Sequence, residues 1–357
     1  MKMSVEAFFQ FLRFSLGQIE KEPSLEAADW LQLYEMSKKQ TLLGVALDGI
    51  SRMQHTRPPK DLLLKWIGQV KVIENYNIRM NGVIAEIGKK FEQRGFRICL
   101  LKGQGNALLY PEPLHRMAGD IDLWLSGRPK NIIRFVRKLS PKEKASYHHI
   151  EFPPYKTFSV EAHYRPCYLH NFAHNYRLQR FFKEHSEECF ANITVWGSTA
   201  VAVPTAEFNI VFQLAHIFNH LFQEGIGLRQ LMDYFFLMKR LELTVDDRIK
   251  MGRQLRRMGL LRFAGAVMYV LHVALGLEED KCIVPVDEAH GRFLLEEILR
   301  GGNFGRYDDR YAHRAGGLSH NWRRFVRTCR LLKYYPSEAL CEPLFRLWHW
   351  GWRVVHN

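Results

Sequence analysis

The chain lacks a hydrophobic run long enough to cross a membrane. Its longest apolar segment, residues 263–277, is shorter than the roughly 20 residues of a spanning helix and contains His272. A buried helix explains this segment better. The amphipathic residues 1–16 carry Glu6 and Arg13 inside their apolar stretch, which argues against a secretory signal. We therefore expect no membrane span and a cytoplasmic location.

Redox and nucleotide-loop motifs are also missing. None of the six cysteines forms a Cys-x-x-Cys pair, and several lie in apolar runs, as Cys99 does in Ile-Cys-Leu-Leu. This usage predicts reduced core thiols, which agrees with a cytosolic protein. The glycine-rich residues 301–305 are not followed by Gly-Lys-Ser or Gly-Lys-Thr, so they do not form a phosphate-binding P-loop.

Acidic residues are scarce relative to basic ones. The chain has 37 Asp and Glu against 51 Lys and Arg, a formal net charge of +14, so it should attract polyanions. Nucleic acid is one candidate partner of the basic C-terminal region, and a solvated basic face is the alternative. The basic residues of that region are Arg306, Arg310, Arg314, Arg323, Arg324, Arg327, Arg330, Lys333, Arg346 and Arg353. The aromatic residues of this region could stack on bases, but their helical spacing is equally typical of a core.

Hydrophobic periodicity divides the chain into three regions. Residues 1–95 and 205–357 show helical spacing, whereas residues 96–204 are rich in candidate strands, which predicts an α+β protein. The predicted strands are 96–101, 120–125, 148–152, 157–164 and 192–203, with turns at Pro153-Pro154 and near Gly197. Short helices are predicted at 103–110 and 128–139, and an amphipathic helix over 72–93 is expected to stop at Gly95.

The segment Gly119-Asp120-Ile121-Asp122-Leu123 carries the most chemical information. Alternate strand residues share a face, so Asp120 and Asp122 should project together while Ile121 and Leu123 point into a core. Adjacent carboxylates repel unless a cation lies between them, and Mg²⁺ prefers oxygen ligands. Gly119 would allow a substrate to approach closely. The alternative is a solvated strand edge.

Three further elements could complete a site. Lys102-Gly103 lies at a strand-to-helix corner, where backbone N–H groups and the lysine could receive a phosphate. Arg116 could hold a phosphate in bidentate fashion. Glu161 and His163 alternate onto one face of a later strand. If that strand lies beside the aspartates, Glu161 becomes a third carboxylate, able to bind metal or accept a proton. His163 could contact substrate or hydrogen-bond within the fold.

Two helical pairs have simpler explanations. His216 and His220 have a spacing that can bind zinc, but the His-Glu-x-x-His pattern is absent, and packing histidines explain the pair better. Arg229 and Asp233 are spaced for an intrahelical ion pair, which explains them about as well as a substrate contact does.

Taken in order, Lys102-Gly103, Arg116, Gly119-Asp120-Ile121-Asp122 and Glu161-x-His163 resemble the polymerase β-like nucleotidyltransferase superfamily. They resemble most the bacterial group described as uncharacterised nucleotidyltransferases. The similarity is clearest over residues 75–240 and includes the segment from Leu228 to Asp233. The resemblance implies a small mixed sheet with helices as the core, flanked by N- and C-terminal helical regions.

The resemblance also implies an activity, which is transfer of a nucleoside monophosphate from a nucleoside triphosphate to an acceptor hydroxyl, with release of pyrophosphate. It implies two Mg²⁺ ions, or Mn²⁺, with Asp120 and Asp122 binding both and Glu161 the catalytic one. Lys102, Gly103, Arg116, Gly119 and His163 would contact the nucleotide. The chain departs from the superfamily at Lys102-Gly103, where a Gly-Ser or Gly-Gly pair and a shorter spacer are usual. The alternative is a catalytically inactive module that binds nucleic acid or a protein partner.

Overall fold

The computed structural model describes residues 3–196, 199–311 and 317–357. Within these ranges the chain is a mixed α+β fold with fifteen α-helices and a six-stranded sheet. The strands are β1 (Ile98–Leu100), β2 (Ile121–Leu125), β3 (His149–Tyr155), β4 (Phe158–His163), β5 (Ile193–Trp196) and β6 (Thr199–Ala202). The helices are α1 (Val5–Ser15), α2 (Ala27–Lys39), α3 (Leu43–Arg52), α4 (Lys60–Glu92), α5 (Gln104–Ala107), α6 (Pro129–Leu139), α7 (Phe172–Glu184), α8 (Ser186–Ala191), α9 (Ala206–Gln223), α10 (Leu228–Arg240), α11 (Val245–Arg257), α12 (Leu261–Leu275), α13 (Glu288–Gly301), α14 (Gly317–Leu332) and α15 (Pro336–His356).

The strand order in the sheet is β3-β4-β2-β1-β6-β5. Strand β2 pairs antiparallel with β1 and parallel with β4. All six strands lie between residues 98 and 202, with helices α1–α4 before them and α9–α15 after them. The helices on both sides contribute to one large core, which includes Phe8 and Trp30 from the N-terminal part and Phe263 from the C-terminal part.

The two faces of the sheet belong to different cores because strand side chains alternate. In β2, Ile121, Leu123 and Leu125 pack in a core with residues of α4 and α6. Trp124 points the other way and stacks on Phe208 of α9, with ring centroids 5.4 Å apart. Helices therefore cover both faces of the sheet, and Asp122 lies on the Trp124 side by the same alternation.

Most sequence-predicted elements are confirmed to within a few residues. Strands β1 and β2 and helices α5 and α6 overlap the predicted ranges, and helices α9–α15 lie within residues 205–357, which show helical spacing. The apolar segments at 62–70 and 72–93 form one helix, α4, which ends shortly before Gly95 with its positive φ of 81°. The expected strand at 192–203 is two antiparallel strands, β5 and β6; the predicted turn residue Gly197 lies outside the described residues.

The predicted turn at Pro153-Pro154 is wrong. Both prolines lie within β3, and the chain turns at Lys156-Thr157, where both residues adopt positive φ angles of 48° and 75°. Strand β3 is at the edge of the sheet, and its register shifts between Phe152 and Tyr155. Proline is tolerated on an edge strand or at a bulge because no ladder hydrogen bond is lost there.

None of the helices that the structure describes combines the length and the apolar character needed to cross a bilayer.

Candidate functional site

Two of the predicted carboxylates lie side by side on neighbouring strands. Asp122 of β2 is directly opposite Glu161 of β4 in the parallel register. The side chain of Asp122 is only 1% exposed, whereas Glu161 is partly exposed. Asp120 immediately precedes β2 and is also partly exposed. The structure thus confirms the expected strand neighbourhood that brings Glu161 to the aspartate segment.

Two cationic groups hold these carboxylates. The Nζ atom of Lys102 lies 3.1 Å from Asp122 Oδ1. The Nε2 atom of His163 lies 3.0 Å from both Asp122 Oδ1 and Glu161 Oε2, so it bridges the two strands. Buried carboxylates are stable only when they are paired and hydrogen-bonded, and these contacts meet that need.

The pKa values reflect this arrangement. Burial alone would lower the pKa of His163, but its hydrogen bonds to Asp122 and Glu161 raise that pKa to about 9. Burial would raise the pKa of Glu161, but the hydrogen bond from His163 and the charge of Lys102 lower it to about 2. Burial opposes the charge of Lys102 as well, yet the carboxylates of Asp122, Asp120 and Glu161 raise its pKa above its usual value. At neutral pH Glu161 is therefore ionised and lies beside the cations of His163 and Lys102.

A pocket opens beside these groups. Six of the eight predicted site residues line it: Lys102, Gly103, Arg116, Gly119, Asp120 and Asp122. Gly103 has a φ of 61°, a backbone conformation that favours glycine, and a Cβ atom built there would lie 3.5 Å from the carbonyl oxygen of Asp120. The corner therefore needs glycine for its conformation. Glu161 and His163 are not among the lining residues. They are linked to the pocket through the hydrogen bond between His163 and Asp122.

Arg116 has a partner that its sequence context does not reveal. Its Nε and Nη2 atoms each donate a 2.7 Å hydrogen bond to the carboxylate of Asp233, and both residues are buried. Tyr110 also donates a 2.7 Å hydrogen bond to Asp233. The expectation that Arg116 is free to clasp a phosphate is therefore corrected, because a carboxylate already occupies its bidentate fork. Asp233 therefore pairs with Arg116, which is distant in the chain, instead of with Arg229 on its own helix.

Arg229 is the pocket cation that the sequence analysis did not select. Its side chain lines the pocket, and its Nη1 atom donates a 3.0 Å hydrogen bond to the carbonyl oxygen of Met117. Its buried Nε atom has no hydrogen-bond partner, and its guanidinium lies 5.3 Å from the ring centroid of Phe304. Burial, and then the charge of Arg116, lower the pKa of Arg229 to about 10. An anion in the pocket would relieve both the missing hydrogen bond and the cost of this buried charge. Its sequence signals are the i, i+4 spacing to Asp233 and its place in the segment from Leu228 to Asp233, which carries the family resemblance.

His216 lines the pocket and His220 contacts His216, and among the described residues the two belong to no metal-binding group. His216 Nε2 lies 3.2 Å from Lys102 Nζ and 3.0 Å from His220 Nε2. Burial lowers the pKa of His220 to about 4 and that of His216 well below its usual value. Among the described residues, neither histidine is part of a group of three potential metal ligands. A neutral His216 instead accepts a hydrogen bond from Lys102 and orients it.

The acidic cluster fits a divalent cation. One ligand atom each from Asp122, Glu161 and His163 lies within 4.8 Å of the other two, and Asp122 Oδ2 is buried with no hydrogen-bond partner. An orphaned carboxylate oxygen in such a place is what a bound cation would satisfy. Asp120 belongs to no three-ligand group among the described residues, so the structure brings Glu161 to Asp122 more closely than it brings Asp120 to them.

Much of the basic character of the C-terminal region is used internally. Four of its arginines form ion pairs with carboxylates of the same region. Arg310 and Arg330 contact Glu297, and Arg324 and Arg346 contact Glu342. Exposed apolar side chains instead dominate one side of α15, among them Leu340, Leu344, Leu347, Trp350 and Val354. Arg314 lies outside the described residues. These pairings leave less free positive charge for nucleic acid than the composition indicates.

Comparisons with known proteins place the chain in a family. No curated protein sequence matches it. A solved structure of an antigenic nucleotidyltransferase-like protein from Paracoccidioides brasiliensis aligns with 59% of this chain and 95% of that one, at 13% identity and a TM-score of 0.34. A likeness at that TM-score does not establish a shared fold. The sequence model of the family described as uncharacterised nucleotidyltransferase matches residues 26–276, which is more than half of the chain and includes every predicted site residue. The chain therefore belongs to the uncharacterised nucleotidyltransferase family.

Proposed function

We propose that this protein transfers a nucleoside monophosphate from a nucleoside triphosphate to an acceptor hydroxyl, with release of pyrophosphate. The observation that carries the proposal is the side-by-side placement of Asp122 and Glu161 next to a pocket lined by Lys102, Arg229 and Asp120. Carboxylates that can hold divalent ions beside cations that can hold phosphates are the two parts that such chemistry requires.

The carboxylates provide the metal ligands in this proposal. Asp122 and Glu161 would hold Mg²⁺ or Mn²⁺, with Asp120 available at the pocket edge for a second ion. When bound, such ions neutralise charge that develops on the reacting phosphate and make the acceptor hydroxyl more acidic. The orphaned Oδ2 atom of Asp122 supports this assignment because no protein donor satisfies it.

The pocket cations provide the phosphate contacts. Lys102 faces the carboxylates and His216, and it carries its charge at neutral pH. Arg229 replaces Arg116 as the guanidinium available for a phosphate, because its Nε atom has no partner whereas Arg116 is engaged by Asp233. Gly119 lies next to Arg229, and a Cβ atom built on it would be 3.6 Å from Arg229 Nη1. A glycine there keeps the approach to the guanidinium open.

Proton movement and positioning complete the reaction scheme. Glu161 is partly exposed and ionised at neutral pH, so it can accept the proton of an attacking hydroxyl directly or through water. His163 fixes Glu161 against Asp122 through its bridging hydrogen bonds. In-line positioning and charge neutralisation supply most of the rate enhancement in this class of reaction.

The direct test measures transfer from radiolabelled triphosphates. Purified protein is incubated with each of the four ribonucleoside triphosphates labelled at the α-phosphate, Mg²⁺ or Mn²⁺, and a cell extract as the source of acceptors. We expect label to move to an acceptor, pyrophosphate to appear, and both to require the metal. The Asp120→Asn and Asp122→Asn variants are the controls. Transfer that persists in both variants would overturn the mechanism. RNA binding without any nucleotide binding would favour the inactive module instead.

A further inference from the structure

Three histidine rings cluster at β3 and β4, and two of them, His149 and His163, contact Glu161. His149 of β3 is directly opposite His163 of β4 in the antiparallel register, and His148 immediately precedes β3. The ring centroids of His148 and His149 are 4.3 Å apart, and those of His163 are 5.5 Å and 5.2 Å from them. A bound metal ion would explain why three imidazoles pack this closely in the interior of the protein.

One nitrogen of each ring takes part in a series of short contacts that includes Glu161. His148 Nε2 lies 3.0 Å from His149 Nδ1, and His149 Nδ1 lies 3.4 Å from Glu161 Oε2. His163 Nε2 lies 3.0 Å from the same oxygen of Glu161. Ligand atoms of the three histidines lie within 4.8 Å of one another, and His149 also forms such a group with Glu151 and Glu161. These spacings suit ligands of one metal ion with bonds of about 2.0–2.1 Å.

The other nitrogen of each ring faces an oxygen. His148 Nδ1 is 3.2 Å from Ser146 Oγ, and His163 Nδ1 is 3.3 Å from the carbonyl oxygen of Arg165. His149 Nε2 is 3.9 Å from a carboxylate oxygen of Glu151. Metal-ligating histidines are characteristically oriented in this way, with the outer nitrogen held by an oxygen so that the inner one faces the ion.

We propose that His148, His149 and His163 form a binding site for a divalent transition-metal ion of the zinc type. Imidazole-rich ligand sets favour such ions over Mg²⁺, which prefers carboxylate, carbonyl and water oxygens. The buried Oδ2 atom of Asp122, a residue that His163 contacts, has no hydrogen-bond partner and is a second observation that points to a cation beside this cluster. An ion could enter beside Glu151, whose side chain is 50% exposed.

This site deepens the proposed function by placing a transition-metal ion beside the carboxylates that are assigned to Mg²⁺ or Mn²⁺. A ligating His163 would be deprotonated at Nε2, so its hydrogen bonds to Asp122 and Glu161 belong to the metal-free protein. Its test rests on metal binding rather than on catalysis, so that the two proposals can fail separately.

The experiment is a Co²⁺ titration of the metal-stripped full chain, followed by visible absorption. We expect a coordinated Co²⁺ spectrum that Zn²⁺ abolishes and that excess Mg²⁺ leaves in place. The His148→Ala and His149→Ala variants should each weaken Co²⁺ binding by about 10–100-fold. The matched control is His185→Ala, which removes a partly buried histidine at the end of α7, outside the cluster. Equal Co²⁺ affinity in the wild type and the cluster variants would overturn the proposal.

A second measurement needs no substitution. Long-range ¹H–¹⁵N spectra of the imidazoles should show three rings whose nitrogen shifts change together on addition of one equivalent of Zn²⁺. Unchanged histidine signals would overturn the inference even if a variant failed to fold. Zn²⁺ binding that survives Asp120→Asn, together with transfer that also survives in both aspartate variants, would refute the proposed function and leave the metal site standing. Nucleotidyl transfer with Mg²⁺ in a protein that does not bind Zn²⁺ would support the proposed function and refute the metal site.

Discussion

Asp122 and Glu161 lie directly opposite each other on two parallel strands, and one imidazole, that of His163, bridges them at 3.0 Å on each side. The two carboxylates differ in environment, because Asp122 is almost fully buried and Glu161 faces partly outward. Their partners also differ, since Lys102 forms an ion pair with Asp122 and not with Glu161. In the proposed mechanism, this asymmetry separates Asp122, which would anchor the site, from Glu161, which would exchange a proton with the substrate.

The two aspartates should respond differently to the same substitution. Asp120→Asn removes a charge at the pocket edge, so we expect the free energy of unfolding to stay within about 0.5 kcal/mol of the wild-type value. Asp122→Asn leaves Lys102 and His163 with one carboxylate fewer in a buried place, and we expect it to cost about 1–3 kcal/mol. Both should lower nucleotidyl transfer by at least about 100-fold. Urea denaturation combined with the labelled transfer assay measures both effects. Equal stability of the two variants would contradict the structural distinction.

Substitution of Arg229 should affect mainly triphosphate binding, whereas substitution of Arg116 should affect mainly stability. Arg229→Ala removes the guanidinium whose Nε atom has no protein partner, so we expect about 10–100-fold weaker triphosphate binding with little change in melting temperature. Arg116→Ala breaks a buried bidentate pair and should cost about 3–5 kcal/mol of stability. Calorimetric titration with a nonhydrolysable triphosphate and thermal melting distinguish the two. Arg253→Ala, on helix α11, is the control for a general loss of positive charge. Normal triphosphate affinity in Arg229→Ala would show that another residue contacts the phosphate.

The sequence predicts the strands better than it predicts the pairings between side chains. The alternation of Asp120 to Leu125 and of residues 157–164 was sufficient for the two strands, because periodicity is a local property. The resemblance to a known family placed the strands together. No local pattern reveals that Arg116 pairs with Asp233, since 117 positions separate them in the chain. The turn at Lys156-Thr157 was missed for another reason: two prolines are a strong turn signal, and only the edge position of β3 makes them compatible with a strand.

The buried pair of Arg116 and Asp233 should make the fold sensitive to acid. Burial opposes ionisation of Asp233, but the charge and hydrogen bonds of Arg116 lower its pKa below its usual value of 3.8. A carboxyl with a lowered folded-state pKa contributes stability that is fully present above its unfolded pKa and is lost as the pH falls through its folded pKa. We expect Asp233→Asn to cost about 3–5 kcal/mol at pH 7 and progressively less below about pH 4. Denaturation curves of both proteins across this range measure the difference. A stability gap independent of pH would show that the carboxylate charge is not the cause.

Lys102 occupies the position from which it competes with a metal ion for Asp122. Its Nζ atom is 3.1 Å from Asp122 Oδ1, and it also provides positive charge to the pocket. Lys102→Met keeps much of the side-chain length but removes the charge, so we expect Mn²⁺ to bind about 10–100-fold more tightly while triphosphate binding weakens. Mn²⁺ affinity is measured from the free-ion electron paramagnetic resonance signal, and triphosphate affinity by calorimetry. Lys156→Met, which removes an exposed lysine paired with Glu86, is the matched control and should change neither affinity. If Lys102→Met weakened the binding of both Mn²⁺ and the triphosphate, Lys102 would support the shape of the site. The proposed competition between Lys102 and a metal ion for Asp122 would then be wrong.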